Sequence, residues 1–241
     1  MDILILAIET ATGCGSVALT RGAGATGKVL AEYTLQPEAT HARRLLGSIA
    51  PVMAAAGVGW NQLAGVAVSQ GPGSFTGLRI GMAAAQGLAM ALAVPLLPVP
   101  TLDGLAAQVV GHDLPLCCLL DARKQQIYAG FYQYRQARWH RTDPFLVLSP
   151  KELVRRIQEP TLLVGPGLRA CRDEMAAQPL ARLADDAGLL HPRAASIGLC
   201  AAQLLADGAI PREEMAVPLY VRASEAELNV QTMKEVSQNA V

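Results

Sequence analysis

Few residues in this chain are placed to do chemistry. The most concentrated group is Gly71-Pro72-Gly73-Ser74-Phe75-Thr76-Gly77, which opens an apolar helical stretch. Backbone N–H groups at a helix start attract anions, but the loop lacks the lysine of a nucleotide-binding P-loop and has only Arg79 to supply charge. A tight strand-to-helix connection, with Gly77 and Gly81 letting the helix pack closely, accounts for the same residues and is the favoured reading. The four histidines, His41, His112, His140 and His191, are far apart, and no pair has metal-ligand spacing. Metallopeptidase chemistry is therefore not expected. Cys14, Cys117, Cys118, Cys171 and Cys200 are odd in number and lack a C-x-x-C spacing, so reduced, buried thiols are expected rather than a zinc or disulfide framework. Cys117-Cys118 lies in an apolar run, where a thiol is usually inert. No Gly-x-Ser-x-Gly elbow is present. Neither catalytic residues nor a metal site can be named.

The elements that must position these residues follow from the hydrophobic pattern. Residues 2–8 form a continuous apolar run, a buried strand. Residues 16–20 and 29–35 read as two more strands separated by Gly-rich turns, an antiparallel meander. Leu45, Ile49, Val52, Met53 and Ala56 then recur at helical spacing after Thr40, a plausible N-cap, and stop at Gly57. Pro51 should kink or tighten that helix. Residues 63–69 read as a strand, 76–93 as a helix, 96–99 as a strand and 101–110 as a helix. The second half repeats the order: strands at 116–121, 127–134 and 145–148, a helix at 151–157, a strand at 161–164, and another Gly-Pro-Gly at 165–167 before a further helix. A terminal helix spans 196–207, capped by Ser196 and ended by Gly208.

Two three-strand meanders, each followed by alternating helices and strands, describe a duplicated α/β fold: two ribonuclease-H-like (actin/Hsp70-like) subdomains, each a mixed sheet flanked by helices. The expected division is 1–102, 103–222 and a flexible tail at 223–241. Between the first two strands this superfold usually places a phosphate-binding turn, here Glu9-Thr10-Ala11-Thr12-Gly13, with Asp121 in the matching place of the second half. Glu9 is longer than the Asp expected, and Asp121 is followed by bulky Arg123, Lys124 and Gln125. Turn residues retained from an ancestral nucleotide site fit better than a working cradle.

Twenty basic residues balance twenty acidic ones, so the total shows none of the basic excess of a protein that grips nucleic acid alone. Hydrophobic residues make up 51% of the chain and aromatics 4%, which implies an ample core of Ala, Leu, Val and Ile. The N-terminus lacks a basic n-region and reads as a first strand, not a signal peptide. Residues 80–102 carry no charge over a length that could span a bilayer. The stretch is Ala- and Gly-rich and broken by Pro95, Pro98 and Pro100, so a buried helix and strand are expected and no membrane partner is.

The run from Ile3 to Thr12 (Ile-Leu-Ile-Leu-Ala-Ile-Glu-Thr-Ala-Thr), the string Gly71-Pro72-Gly73-Ser74-Phe75-Thr76-Gly77-Leu78-Arg79-Ile80-Gly81, Leu120-Asp121-Ala122-Arg123 and Pro218-Leu219-Tyr220-Val221-Arg222 together resemble the bacterial TsaB (YeaZ) family. The resemblance covers the chain up to about Arg222, and the Gly-Pro-Gly-Ser-Phe-Thr-Gly-Leu-Arg string is its specific part. It implies a cytoplasmic, non-catalytic scaffold that activates a related catalytic subunit, TsaD, with the ATPase TsaE completing the assembly. That machinery adds threonylcarbamoyl to the adenosine beside the anticodon of certain tRNAs. The catalytic relative carries a His-x-x-x-His pair where this chain has Thr101 and Leu105. The resemblance also implies that the helices at 41–56 and 76–93 bundle with those of TsaD, or with a second copy when the chain is alone. The interface residues then expected are Leu45, Ile49, Met53, Ser74, Phe75, Thr76, Leu78, Arg79, Met82 and Gln86, with packing on the sheet as the alternative for the apolar ones. Ser74 and Thr76 would also face the partner's ligand. No intrinsic cofactor is expected, and ADP or ATP would bind at most weakly or shared at the interface. The tRNA would be reached mainly through the complex. Residues 132–141 mix basic and aromatic side chains that can stack on RNA, although a solvated edge hairpin is the favoured reading. A stand-alone actin-like ATPase or kinase-like enzyme is the competing function.

Overall fold

The computed structural model describes residues 2–35, 42–184, 191–209 and 217–222. Among these, the strands form two sheets of matching topology. The first sheet holds β1 (Leu4–Glu9), β2 (Gly15–Arg21), β3 (Lys28–Leu35), β4 (Gly65–Gly71) and β5 (Leu96–Pro100) in the order β3-β2-β1-β4-β5. β1 pairs antiparallel with β2 and parallel with β4, so the meander and the helix-connected strands meet at β1. The second sheet holds β6 (Leu116–Arg123), β7 (Gln126–Arg135), β8 (Arg138–Arg141), β9 (Leu146–Leu148), β10 (Thr161–Val164) and β11 (Ala181–Leu183), in the order β11-β10-β6-β7-β8 with β9 also on β7. β6 lies antiparallel to β7 and parallel to β10, repeating the arrangement around β1. The duplication read from element order is thus present in the topology.

Helices α1 (Ala42–Gly47), α2 (Ile49–Ala55) and α3 (Phe75–Leu92) cover one face of the first sheet. The single helix expected from Thr40 to Gly57 is two. The break falls at Ser48, whose hydroxyl donates to the Leu45 carbonyl at 2.6 Å. Pro51 sits harmlessly in the first turn of α2, where a missing N–H costs little. Thr40 and His41 lie outside the described residues.

α4 (Thr101–Ala106) and α7 (Ala194–Ala206) are exchanged between the lobes. α4 follows the first sheet, yet Leu102, Leu105 and Ala106 pack with Leu116, Cys118, Leu120 and Tyr132 of the second. α7 follows the second sheet, yet Ala194, Ile197, Ala201 and Ala202 pack with Ile5, Ala7, Ala18 and Leu97 of the first. The 103–222 segment therefore lends its last helix to the other lobe. Ser196 is not the cap of α7: it is buried inside the helix, which begins after Arg193. The first N–H groups are satisfied by distant side chains instead, Ala194 by Ser16 Oγ at 2.8 Å and Ala195 by Glu32 Oε1 at 3.2 Å. Arg193 also pairs with Glu32. Helices α5 (Pro150–Arg156) and α6 (Arg172–Ala176) cover the remaining face of the second sheet.

α3 is long and apolar enough to cross a membrane by length and composition alone. Here Leu78, Met82, Ala85 and Ala89 build one side of it into the first core, and the uncharged stretch 80–102 divides between α3 and β5 at Ala93, which ends the helix in the left-handed region (φ 52°).

Candidate functional site

The turn after β1 and the Gly-Pro-Gly loop after β4 meet as one packed unit. β1 is apolar throughout until Glu9, so the strand delivers a carboxyl to a position with no solvent exposure. Glu9 Oε1 accepts the Ala11 N–H at 2.6 Å, whereas Oε2 is buried with no hydrogen-bond partner among the described residues. Burial pushes the Glu9 carboxyl up to about 8, against the Ala11 N–H and the Ser69 hydroxyl, which favour its charged form. Near neutral pH the group is therefore largely a neutral acid. Ser69 Oγ, at the end of β4, accepts the Thr10 N–H at 3.3 Å.

The Gly-Pro-Gly loop fills the space in front of that turn. The Ser74 N–H donates to the Ala11 carbonyl at 2.6 Å, and Thr10 Oγ1 donates to the Gly77 carbonyl at 2.8 Å. A Cβ on Gly77 would overlap the Thr10 carbonyl oxygen, and one on Gly81 would overlap Thr10 Oγ1. Both glycines are needed so that α3 can lie on the turn. Ser74 is the N-cap of α3 and accepts the Gly77 N–H at 3.3 Å. Hence the N–H groups of Thr10 and Ala11, which would face a phosphate in a working cradle, are bonded within the protein. The second half copies the arrangement in outline: Asp121 Oδ1 accepts the Arg123 N–H at 2.7 Å, two residues on, as Glu9 does.

The expected interface residues divide into two groups. Ser74, Phe75, Thr76, Arg79 and Gln86 are exposed. Leu45, Ile49, Met53, Leu78 and Met82 are not: each is buried in the chain's own core, as in the alternative of packing on the sheet. A helix with apolar residues on all sides does not reveal which side faces its own sheet. The face left outward is made by Ala83, Gln86, Gly87, Met90 and Ala91 on α3 and by Ala50, Pro51, Ala54 and Ala55 on α2. Met90 is 84% exposed. Its spacing from Ala83 and Gly87 was readable, but nothing in the pattern ranked this stripe above the Leu78–Met82 stripe. Arg79 is the only charged residue in α2 and α3, and its guanidinium lies 3.8 Å from the Phe75 ring centroid.

Thr101 and Leu105 both serve the fold. Thr101 is buried at the start of α4 and its Oγ1 accepts the Gly71 N–H at 3.1 Å, while Leu105 is fully buried in the second core. Among the described residues there is no group of three or more His, Cys, Asp and Glu side chains placed to hold a metal. The cysteines are unpaired thiols. Burial raises their pKa values, Cys171 to about 11 and Cys200 to about 12. A second, half-buried carboxyl lies on α4: Asp103 accepts the Tyr132 hydroxyl at 2.8 Å, and burial raises it while Arg141 opposes the rise. In the basic and aromatic hairpin, Tyr134 and Trp139 stack edge to face at 5.1 Å and Trp139 Nε1 donates to the Val109 carbonyl at 2.9 Å. Its aromatic side chains are thus used to seat β8, the outer strand of the edge hairpin read at 132–141.

Comparison with known proteins identifies what this arrangement belongs to. The family model described as "TsaD: tRNA N6-adenosine threonylcarbamoyltransferase" matches residues 28–230. The tRNA threonylcarbamoyladenosine biosynthesis protein TsaB of Escherichia coli K12 is 33% identical over 224 residues, 90% of this chain and 94% of that protein. The TsaB protein of Bacillus subtilis 168 is 30% identical over 67% of this chain and 70% of its own length. The structure of YeaZ from Pseudomonas aeruginosa superposes with a TM-score of 0.74 at 30% identity, covering 91% of this chain and all of that one. The chain belongs to the TsaB (YeaZ) family of tRNA threonylcarbamoyladenosine biosynthesis proteins.

Proposed function

We propose that this chain is a non-catalytic activating subunit in that biosynthesis, docking through α2 and α3 onto a TsaD-type catalytic subunit. The observation that carries the reading is the outward face of those helices. Between Ala50 and Ala91 the exposed residues of α2 and α3 are mostly small or apolar, with Thr76 and Gln86 polar and a single charge at Arg79, which suits close helix–helix packing. When the chain is alone, the same face would be covered by a second copy in a two-fold dimer. The non-catalytic part is supported by Thr101 and Leu105, which are committed to the fold, and by the turn N–H groups already bonded within the chain. Those bonds also count against a stand-alone ATPase. A TsaE-type ATPase would complete the assembly, tRNA would be engaged through the complex, and nucleotide would be held, if at all, between subunits. The buried reduced thiols suit the cytoplasm.

The test is threonylcarbamoyl transfer to tRNA by a TsaD-type subunit and a TsaE-type ATPase, with this chain added or withheld. Transfer only on addition, and none from this chain alone, supports the activator role. Transfer by this chain alone, or no dependence on it, overturns it. An Ala83→Glu variant places a carboxylate on the exposed face without touching the core. It should fold normally and fail to activate, and full activation by it would overturn the docking face.

A further inference from the structure

Residues 217–222 cross from one lobe to the other. On the first lobe, the Leu219 N–H donates to the Gln70 carbonyl at 2.7 Å, and Gln70 Nε2 donates back to the Val217 carbonyl at 3.1 Å. One backbone bond and one side-chain bond thus fasten the segment to the end of β4. Gly71, at φ 119°, leaves the room needed, because a Cβ there would stand 2.5 Å from the Leu219 carbonyl oxygen. One residue on, the Tyr220 ring lies 5.1 Å from that of Phe75, and its hydroxyl accepts from Arg79 Nε at 3.0 Å. With the Arg79 guanidinium over Phe75, these three side chains form a closed stack at the N-terminal end of α3.

On the second lobe, Arg222 Nη1 donates to the Ala122 carbonyl at 3.2 Å and to Gln126 Oε1 at 3.0 Å. It therefore grips both sides of the β6–β7 turn. That turn is a stiff anchor: Arg123, Lys124 and Gln125 hold successive φ values of 64°, 51° and 57°, a conformation that non-glycine residues adopt only when their surroundings fix it. The Asp121 carboxylate on the Arg123 N–H is one of those constraints.

The exchanged helices α4 and α7 connect the lobes at one place, and relative motion about such a connection is the default unless further contacts oppose it. We propose that residues 217–222 are a strap that fixes the opening between the lobes, anchored by the Phe75–Arg79–Tyr220 stack and hooked to the second lobe by Arg222. The strap couples the N-terminal end of α3 to the β6–β7 turn, so that a partner pressing on Phe75 and Arg79 also acts on the second lobe. This does not depend on which reaction the chain serves.

Spin labels on exposed positions of each lobe, introduced as Lys28→Cys and Glu159→Cys, read the opening in the full-length chain; the native thiols, with raised pKa values, label slowly. The parent should give one narrow distance. Arg222→Ala, which removes only the hook, should widen the distribution by about twofold or more. Tyr220→Ala should widen it too and speed exchange of the Leu219 amide by about tenfold. A parent that is already broad, or an Arg222→Ala variant as narrow as the parent, overturns the proposal. Should Tyr220→Ala fail to fold, Arg222→Ala decides alone, since it leaves both cores untouched.

Discussion

Replacing Glu9 with Gln tests the account of the buried turn most sharply. In the folded chain the Glu9 carboxyl titrates at about 8, whereas its ordinary value is 4.5. A folded pKa above the unfolded one gives stability that is fully present below pH 4.5 and is lost as pH rises towards 8, because the unfolded carboxyl releases its proton first. Each pH unit inside that window costs about 1.4 kcal/mol. From pH 5.5 to 7.5 the parent should therefore lose about 3 kcal/mol that Glu9→Gln does not lose. The amide keeps an acceptor for the Ala11 N–H, so the comparison removes the ionisable carboxyl and keeps that bond. Urea unfolding of both proteins at half-unit pH steps measures it. In thermal terms the gap between the two melting temperatures should shift by about 6–12 °C in favour of Gln across the window. Parallel stability profiles for the two proteins would mean that Glu9 is ionised in the fold, and the neutral-acid account would be wrong.

Three other outcomes follow from the packing. Met82→Ala should cost about 2–5 kcal/mol in chemical denaturation, whereas Met90→Ala on the same helix should stay within about 0.5 kcal/mol; equal costs would show that the inward and outward faces of α3 are misassigned. Gly77→Ala must displace the Thr10 carbonyl and should destabilise by about 3 kcal/mol or more, with a near-neutral effect ruling out the tight seat between the β1 turn and α3. The native thiols should react slowly with Ellman's reagent at pH 8 and all five rapidly in denaturant, and a fast native class would contradict the raised pKa values of the buried cysteines.

The strands carrying long apolar runs were legible because burial on both faces leaves an unbroken signature, as in residues 4–8 and 116–120. β8 was legible only as part of an edge hairpin without bounds, because Arg138-Trp139-His140-Arg141 pairs with β7 through backbone and Trp139, not through an apolar pattern. β11 is only three residues long and left no pattern to detect. The start of α7 was misplaced for a different reason. Its capping groups come from Ser16 and Glu32, well over a hundred residues away, and a local rule finds only local caps. At the site, Gly77 and Gly81 were read from their type and spacing as letting α3 pack closely, and Glu9's counterpart Asp121 was matched; the capping role of Ser74 was not read. The choice of face on α3 was beyond the sequence, since Leu78 and Met82 look no different from Ile80 and Met90 until the sheet is present. Tyr220 and Arg222 were visible only as part of a motif, because their roles depend on contacts with residues about a hundred or more positions earlier.

The exchange of α4 and α7 also bears on how the chain is made. The second sheet, with its covering helices, comes from one contiguous stretch of the described chain, Thr101 to Leu183, so it is complete once that stretch has left the ribosome. The first sheet is not. Ile5, Ala7, Ala18 and Leu97 have been synthesised early, but the helix that shields them spans Ala194–Ala206. Until it emerges, one side of the N-terminal sheet has no covering layer. The lobe encoded first is thus finished last, nested around the one encoded second, and a nascent chain stopped before residue 194 would display the apolar surface that chaperones bind.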